Sequence, residues 1–151
     1  MQPTEPLALN HSWLATERDQ RFTRGVVYDE PPGSVLSLDH AHRRAIGTWE
    51  CNLTDDTLTW SDAVYDLFGL PRRMDLYRTE TLALYRESSR AAMERLRRHA
   101  IRHCRGFTLD AEIGTAAGER RWMRLIAAPI SVGGKVVRLH GLKQDVTRLY
   151  R

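Results

Sequence analysis

The sequence of 151 residues lacks an apolar run near the roughly 20 residues that a membrane-spanning helix needs. Its N-terminus also lacks the basic region followed by an apolar stretch that marks a secretory signal peptide. We therefore expect a cytoplasmic protein without a membrane span. A chain of this length can bury a hydrophobic core without disulfides or metal ions, so we expect one folded domain and a tail.

Cysteine is also scarce. Cys51 and Cys104 are the only two, and they lack the spacing of a disulfide framework or a zinc site. We expect two buried free thiols, with Cys51 protonated in apolar surroundings. The sequence shows no phosphate-binding glycine loop and no nucleophile with a partnering base. These absences predict a protein that is not an enzyme and that has neither catalytic residues nor a metal site.

Acidic residues are few in one segment. The net charge is +4 and the isoelectric point is near 9.4. Between residues 88 and 105, Glu94 is the only acid, whereas six arginines share the segment: Arg90, Arg95, Arg97, Arg98, Arg102 and Arg105. No aromatic residues are interleaved with them, which favours a solvated helix face or one that docks onto an acidic protein. Nucleic-acid binding through this helix remains an alternative, although a nucleic acid is not the partner we expect.

Proline divides the N-terminal part of the chain. Residues 1–33 contain four prolines and only scattered apolar residues, which predicts a tail that is partly disordered or is ordered only by a partner. A short helix is expected over residues 34–45. Its apolar positions include Leu36, Leu38 and Ala41. The domain is therefore expected to cover residues 34–151, with its core at 46–150.

Alternating apolar and polar residues predict strands within that core. Trp49 and Cys51 lie on the first expected strand, Trp60 lies on the second, and residues 107–113 form the third. Two further strands follow, and glycines mark the turns before each of them. Between the second and third strands, a long helix at about residues 89–104 carries an apolar stripe. This order predicts an α+β fold: a five-stranded antiparallel sheet with helices on one face.

Two sets of motif residues resemble a known family. In the last third of the chain they are Gly118, Glu119, Arg121 and Trp122, followed by Gly141, Asp145, Val146 and Thr147. In the first half they are residues 46–50, Leu58 to Ser61 and residues 67–70. In this order and spacing, residues 46–150 resemble a PAS domain of the PAS-fold 3 type. The resemblance implies the PAS fold, with a pocket between the sheet and the long helix for a small ligand.

Eight residues are expected to face that pocket: Trp49, Cys51, Trp60, Phe68, Met93, Leu96, His99 and Trp122. The tryptophans could instead fill a core and leave room for a small ligand or none. Some PAS domains hold haem through a histidine on the long helix, but we expect His99 and His103 to face solvent, with one of them able to reach the pocket edge. Others bond flavin through a cysteine, but Cys104 lies outside the matching motif. We expect no cofactor, with haem or flavin as the less favoured alternative.

The resemblance also implies how the protein signals. In larger sensors, the positions of Asp145 and Thr147 mark the junction from which a helix leads to an output domain. Here only a few residues follow them, which predicts a stand-alone bacterial PAS protein acting in trans. We expect it to bind sensor histidine kinases or other PAS proteins, and to form a homodimer, through the outer sheet face and five residues: Leu36, Leu38, Ala41, Val146 and Leu149. Small-molecule sensing is the first alternative, and nucleic-acid binding is the second.

Overall fold

Six antiparallel strands form the sheet of the structure, a computed structural model that describes residues 9–27 and 46–150. The strands are β1 (Asn10–Leu14), β2 (Ile46–Asn52), β3 (Thr57–Trp60), β4 (Arg105–Gly114), β5 (Arg120–Val132) and β6 (Lys135–Asp145). Their order across the sheet is β1-β4-β5-β6-β2-β3, and each neighbouring pair is antiparallel. The α+β class predicted from the sequence is confirmed.

The described ranges also contain four α-helices and two short 3-10 turns. The helices are α1 (Arg18–Gly25), α2 (Asp62–Phe68), α3 (Arg78–Leu82) and α4 (Glu87–His103), and the turns are Ala15–Glu17 and Thr147–Tyr150. Helix α2 ends at Gly69, whose φ of 69° is the left-handed conformation that glycine adopts without strain. None of the helices in these ranges is long and apolar enough to cross a membrane.

The main hydrophobic core lies between one face of the sheet, here named the inner face, and helices α2 to α4. Strands β4, β5 and β6 contribute Phe107, Leu125 and Leu139 to this face. Helix α4 packs Met93 and its stripe neighbours Leu96 and Ala100 against them, as its 3.6-residue periodicity requires. The inner face and α4 therefore enclose the space in which the sequence predicts a pocket.

Strand β1 and helix α1 belong to the segment that the sequence analysis assigns to the tail of residues 1–33. Strand β1 pairs with β4, with Trp13 opposite Gly106. The sheet therefore has six strands rather than the predicted five, and residues 10–25 are ordered on the sheet of their own chain. Because this pairing joins residues more than 90 positions apart, local periodicity carries no signal for it. The helix predicted over residues 34–45 lies outside the described residues.

The N-terminal segment covers the opposite, outer face of the sheet. The Trp13 ring lies against Gly106, where a β-carbon would stand 2.1 Å from the indole, and its Nε1 donates to Thr108 Oγ1 at 3.0 Å. From α1, Phe22 packs on the cluster that Trp13 forms with Ile126 and Ala128. The apolar part of the outer face, expected from the sequence to contact a partner, is therefore buried by this chain itself. Helix α1 lies on this outer face, so the prediction that the helices all lie on one face of the sheet is wrong.

A buried ion pair fastens both ends of the described chain to the outer face. The Arg124 guanidinium donates to both carboxylate oxygens of Asp110, from Nε at 2.7 Å and Nη2 at 2.8 Å. Arg124 Nη1 also donates to the carbonyl oxygen of Gly25, and the Tyr150 hydroxyl donates to Asp110 Oδ2. Next to them, Asp110 N donates to the Leu9 carbonyl at 2.9 Å. The Asp110–Arg124 pair therefore ties the C-terminal turn to strands β4 and β5 through the carboxylate, and the N-terminal segment through Arg124 and the Asp110 backbone.

Candidate ligand cavity

A cavity of about 50 Å³ lies in the core, between the inner face and helices α3 and α4. A cavity needs about 10–15 Å³ to hold one water molecule, so this one has room for roughly four. Its walls are mainly aromatic and aliphatic, formed by Trp49, Leu58, Trp60, Leu82, Tyr85, Met93, Phe107, Leu125 and Leu139. Its polar wall residues are Cys51, Arg78, Thr81, Arg97 and Lys143.

Lys143 is the most unusual residue of this cavity. It lies on the inner face of β6 and is only 7% exposed. Its Nζ lies 5.1 Å from the ring centroids of Trp60 and Phe68 and 5.4 Å from that of Trp49. In the described part of the chain, no carboxylate or other hydrogen-bond acceptor pairs with this ammonium group. Contacts with three aromatic faces replace only part of the hydration that burial removes.

This burial changes the protonation of Lys143. Desolvation lowers its pKa from 10.5 to about 7, because a low-dielectric surrounding disfavours the charged form. Burial also raises the pKa of the nearby Cys51 thiol and of the Tyr85 hydroxyl, so both stay neutral near pH 7. The Lys143 amine therefore gains or loses a proton near neutral pH, unlike an exposed lysine.

A second buried donor at the cavity also lacks an acceptor. Trp60 is 7% exposed, and its indole Nε1 has no hydrogen-bond partner among the described residues. Trp49, opposite it on the next strand, is satisfied because its Nε1 donates to the Ile126 carbonyl at 3.3 Å. To reach that carbonyl on β5, the indole crosses β6 at Gly141, its pairing partner. Buried donors normally have a partner, so Trp60 is an exception that calls for an explanation.

The two arginines of the cavity wall are paired. Arg78 forms an ion pair with Glu94, and Arg97 Nη2 lies 3.1 Å from Asp56 Oδ1. Neither carboxylate residue lines the cavity. The wall therefore carries three cationic side chains and no acidic one, and Lys143 alone among the three lacks a counter-ion in the described structure.

The eight predicted pocket residues separate into three groups. Four of them line the cavity: Trp49, Cys51, Trp60 and Met93. Phe68 and Leu96 are buried in the adjoining core, and Phe68 also faces the Lys143 ammonium group. His99 and Trp122 lie elsewhere.

The positions of His99 and Trp122 correct the prediction. His99 is exposed on α4 and lies against His103, with ring centroids 4.6 Å apart, because the inward stripe of the helix passes through Leu96 and Ala100. Trp122 precedes the inward-facing Met123 on β5 and so points to the outer face. There it stacks on Tyr150 at 4.2 Å between centroids. Neither residue lines the cavity.

Lys143 was missed by the sequence analysis, although a signal for it exists. In β6, Leu139 and Gly141 share one face with Lys143, since side chains alternate along a strand. A lysine in phase with inward-facing residues predicts a buried charge. The chain contains only two lysines, and the other, Lys135, is exposed at the start of β6.

The residues at the cavity do not fit the two cofactors considered from the sequence. None of the histidines that the structure describes lines the cavity, so these residues supply no ligand for a histidine-ligated haem there. Cys104 is exposed at the end of α4, and Cys51 is a buried neutral thiol on β2, so neither stands where a cysteine would bond a flavin. A volume of about 50 Å³ is also far below the roughly 300–1,000 Å³ of drug-sized ligand pockets.

Asp145 and Thr147, the predicted signal junction, form a compact turn at the end of β6. Asp145 Oδ1 accepts from both the backbone N–H, at 2.9 Å, and the hydroxyl of Thr147. Thr147 Oγ1 in turn accepts from the backbone N–H of Trp122 at 3.0 Å. Lys143 is two residues before Asp145, so a single strand connects the cavity wall to this turn.

The predicted interaction residues differ in accessibility. Leu36, Leu38 and Ala41 lie outside the described residues. Val146 is 1% exposed and its backbone N–H donates to the Trp122 carbonyl, so its side chain is a packing residue and the prediction of a contact surface there is wrong. Leu149 is 45% exposed in the C-terminal turn and can contact a partner.

The arginine-rich helix α4 offers a smaller basic face than its sequence suggests. Arg97 is partly buried at the cavity wall, and Arg105 Nε donates to Ser12 Oγ on β1 at 2.9 Å. The remaining four arginines of the segment are exposed: Arg90, Arg95, Arg98 and Arg102. Nucleic-acid binding through this helix stays an untested hypothesis.

Comparison with known proteins bears on the fold. No protein-family model and no curated protein matches the sequence. Solved structures do match. An RNA-binding light-oxygen-voltage receptor superposes with a TM-score of 0.62 at 17% identity, over 71% of this chain and 31% of that chain.

Two further matches cover most of the other chain. A sensory box histidine kinase/response regulator from Burkholderia thailandensis E264 has a TM-score of 0.62 and 18% identity, over 76% of this chain and 86% of that chain. The N-terminal domain of a diguanylate cyclase with a PAS/PAC sensor, from Marinobacter aquaeolei, has a TM-score of 0.63 and 13% identity, over 69% of this chain and 97% of that chain. These likenesses show that the described residues adopt the PAS fold. The PAS-fold 3 subtype stays a prediction.

Proposed function

We propose that this chain is a cytoplasmic PAS signalling module that senses a small molecule in the cavity beside Lys143 and acts on other proteins in trans. The observation that carries the proposal is that two residues of one cavity wall, Lys143 and Trp60, have donors, Nζ and Nε1, that find no acceptor in the part of the chain that the structure describes. Unsatisfied buried donors cost free energy, and a bound acceptor would recover that cost. The PAS fold of sensory proteins such as the Burkholderia kinase supports a signalling role by analogy.

The same strand supplies a route from the cavity to the chain end. Lys143 forms part of the cavity wall, and β6 continues into Asp145 and the hydrogen-bonded Thr147 turn. A ligand that pulls on the lysine shifts the strand against β5, to which Thr147 is bonded through Trp122. Sensing then amounts to a change in the equilibrium between two arrangements of this turn. Catalysis is not part of the proposal.

Nuclear magnetic resonance of uniformly ¹⁵N-labelled protein tests the sensing role. Pools of small metabolites, both charged and neutral, are added while the four tryptophan indole signals and the Thr147 amide signal are followed. We expect at least one pool to shift the Trp60 indole and Thr147 signals together. Absence of any shift across all pools would overturn the sensing proposal.

A matched pair of variants locates the response. Met93→Phe places a bulkier side chain into the cavity wall, and Met74→Phe makes the same change at an exposed site. We expect Met93→Phe to reduce the ligand affinity at least tenfold while keeping a dispersed spectrum, whereas Met74→Phe binds as the wild type does. Equal binding by both variants would place the ligand elsewhere.

The output partner is a sensor histidine kinase, another PAS protein or a second copy of this chain. Support comes from Leu149, an exposed apolar residue in the turn that follows the signal junction. An exposed apolar side chain at this position gives a partner apolar surface to bury.

Leu149→Asp tests this contact. We expect it to weaken self-association in sedimentation equilibrium, or binding to a purified sensor histidine kinase, by at least tenfold, because a charge would be buried in the interface. Val132→Asp is the control, since Val132 is exposed at the distant β5–β6 turn. A wild-type protein that is monomeric and has no affinity for the kinase contradicts the output role, and so does an equal effect of both substitutions.

A further inference from the structure

The charge of the cavity wall restricts what can bind there. Three cationic side chains line it, and none of the carboxylates in residues 9–27 and 46–150 does. Glu94 and Asp56 neutralise the two arginines from outside the wall, which leaves Lys143 as the cation without a counter-ion among the described residues. A cationic ligand would be repelled by the Lys143 ammonium group, and a neutral one would leave that group without a counter-charge.

The available donors restrict the ligand further. Lys143 offers an ammonium group, and Trp60, another residue of the wall, carries a buried indole N–H without an acceptor among the described residues; the Lys143 Nζ lies 5.1 Å from the Trp60 ring centroid. A group with two acceptor oxygens and one negative charge can take both donors at once. We propose that the ligand is a small carboxylate, held at its charged end by Lys143 and Trp60. This inference rests on the sensing role proposed above.

The size and lining of the cavity agree with a short carboxylate. Its volume of about 50 Å³ admits only a few heavy atoms beyond the carboxylate group. Met93, Leu125 and Leu139 supply apolar surface against which a short alkyl or keto chain can pack. A doubly charged anion would bring a charge that the single unpaired cation cannot balance, so inorganic phosphate is expected to bind poorly.

Binding should depend on pH. Only the protonated amine of Lys143 pairs with a carboxylate, and its pKa lies at about 7 without a ligand. Among the described residues, the other titratable groups that line the cavity are Cys51 on β2, Tyr85 before α4, Arg78 on α3 and Arg97 on α4. Burial raises the pKa of both Cys51 and Tyr85, so these two groups stay neutral between pH 6 and 8. Affinity should therefore fall by about tenfold per pH unit above the Lys143 pKa.

Indole NMR with matched ligand pairs tests the inference. Acetate, propionate and pyruvate are titrated against acetamide and propionamide, which have similar shapes and no charge, and inorganic phosphate is a further probe. For a carboxylate, we expect a downfield shift of the Trp60 indole signal, which the Trp60→Phe variant identifies by its loss. We also expect an affinity at least tenfold above that for the amide, and proton uptake on binding at pH 8.

Variants at the two lysines complete the test. Lys143→Met should lower the affinity for carboxylates tenfold or more. Lys135→Met, which changes the exposed lysine, should bind carboxylates as the wild type does. Equal affinity for carboxylates and amides, or a site filled only by neutral members of the metabolite pools, would overturn the carboxylate inference while leaving the sensing role intact. A cavity that no ligand of any charge enters would overturn both.

Discussion

Asp110→Asn is expected to lower the free energy of unfolding by about 3–5 kcal/mol, because it leaves the Arg124 guanidinium buried without its counter-charge. The Asp110 side chain is fully buried, and that of Arg124 is only 14% exposed. The amide can accept one of the two guanidinium hydrogen bonds but cannot balance the charge, and the Tyr150 hydroxyl loses a charged acceptor. Urea unfolding followed by circular dichroism measures the effect.

Glu112→Gln is the matched control for Asp110→Asn. Glu112 lies on the same face of β4, two residues further on, and pairs with Arg120, which is 65% exposed. Surface pairs of this kind contribute about 0–1 kcal/mol, so the control should change stability little. We also expect faster hydrogen exchange in residues 9–27 and 147–150 for Asp110→Asn, since the carboxylate positions Arg124, which bonds Gly25, and accepts from Tyr150. If the two variants unfold at the same urea concentration, the ion pair does not hold the two ends.

Lys143→Met is expected to stabilise the protein by on the order of 3 kcal/mol at pH 6, because it removes an unpaired buried cation and fills the same space with an apolar chain. The direction in which stability changes with pH follows from the Lys143 pKa, which is about 7 in the folded protein and 10.5 in the unfolded chain. Between pH 7 and 10.5 the unfolded chain still holds the Lys143 proton that the folded protein has released, so wild-type stability rises with pH by up to about 1.4 kcal/mol per unit. Below pH 7 both states hold the proton, and the cost of burying the charge is complete.

The advantage of Lys143→Met should therefore shrink as the pH rises from 7 towards 10. Urea unfolding at several pH values measures this, and Lys135→Met should keep the wild-type slope because that lysine is exposed. Parallel slopes for the wild type and Lys143→Met would show that the amine is not desolvated as described. A stabilised variant that also loses the ligand would show that the lysine is kept for binding at a cost in stability.

Several residues at the candidate site could be predicted from the sequence because their signal is local. Alternation along β2 and β3 places Trp49, Cys51 and Trp60 on the inner face, and the helical period places Met93 on the inward stripe of α4. The same rule fails for Trp122, since the phase of β5 relative to the core depends on which neighbours it pairs with. The prediction for His99 fails because the inward apolar stripe of α4 runs through Leu96 and Ala100, which leaves His99 exposed on the helix surface.

By itself, the sequence determined the α+β class, the PAS resemblance and most of the residues around the cavity, because periodicity and motif spacing are properties of neighbouring residues. Only the tertiary structure decided that β1 and α1 cover the outer face, and that Asp110 fastens both ends of the described chain to it. It also decided that Lys143 lies among three aromatic rings, with no counter-ion in the described part of the chain. These features depend on which distant residues meet, and burial and pairing of charges are set by those contacts.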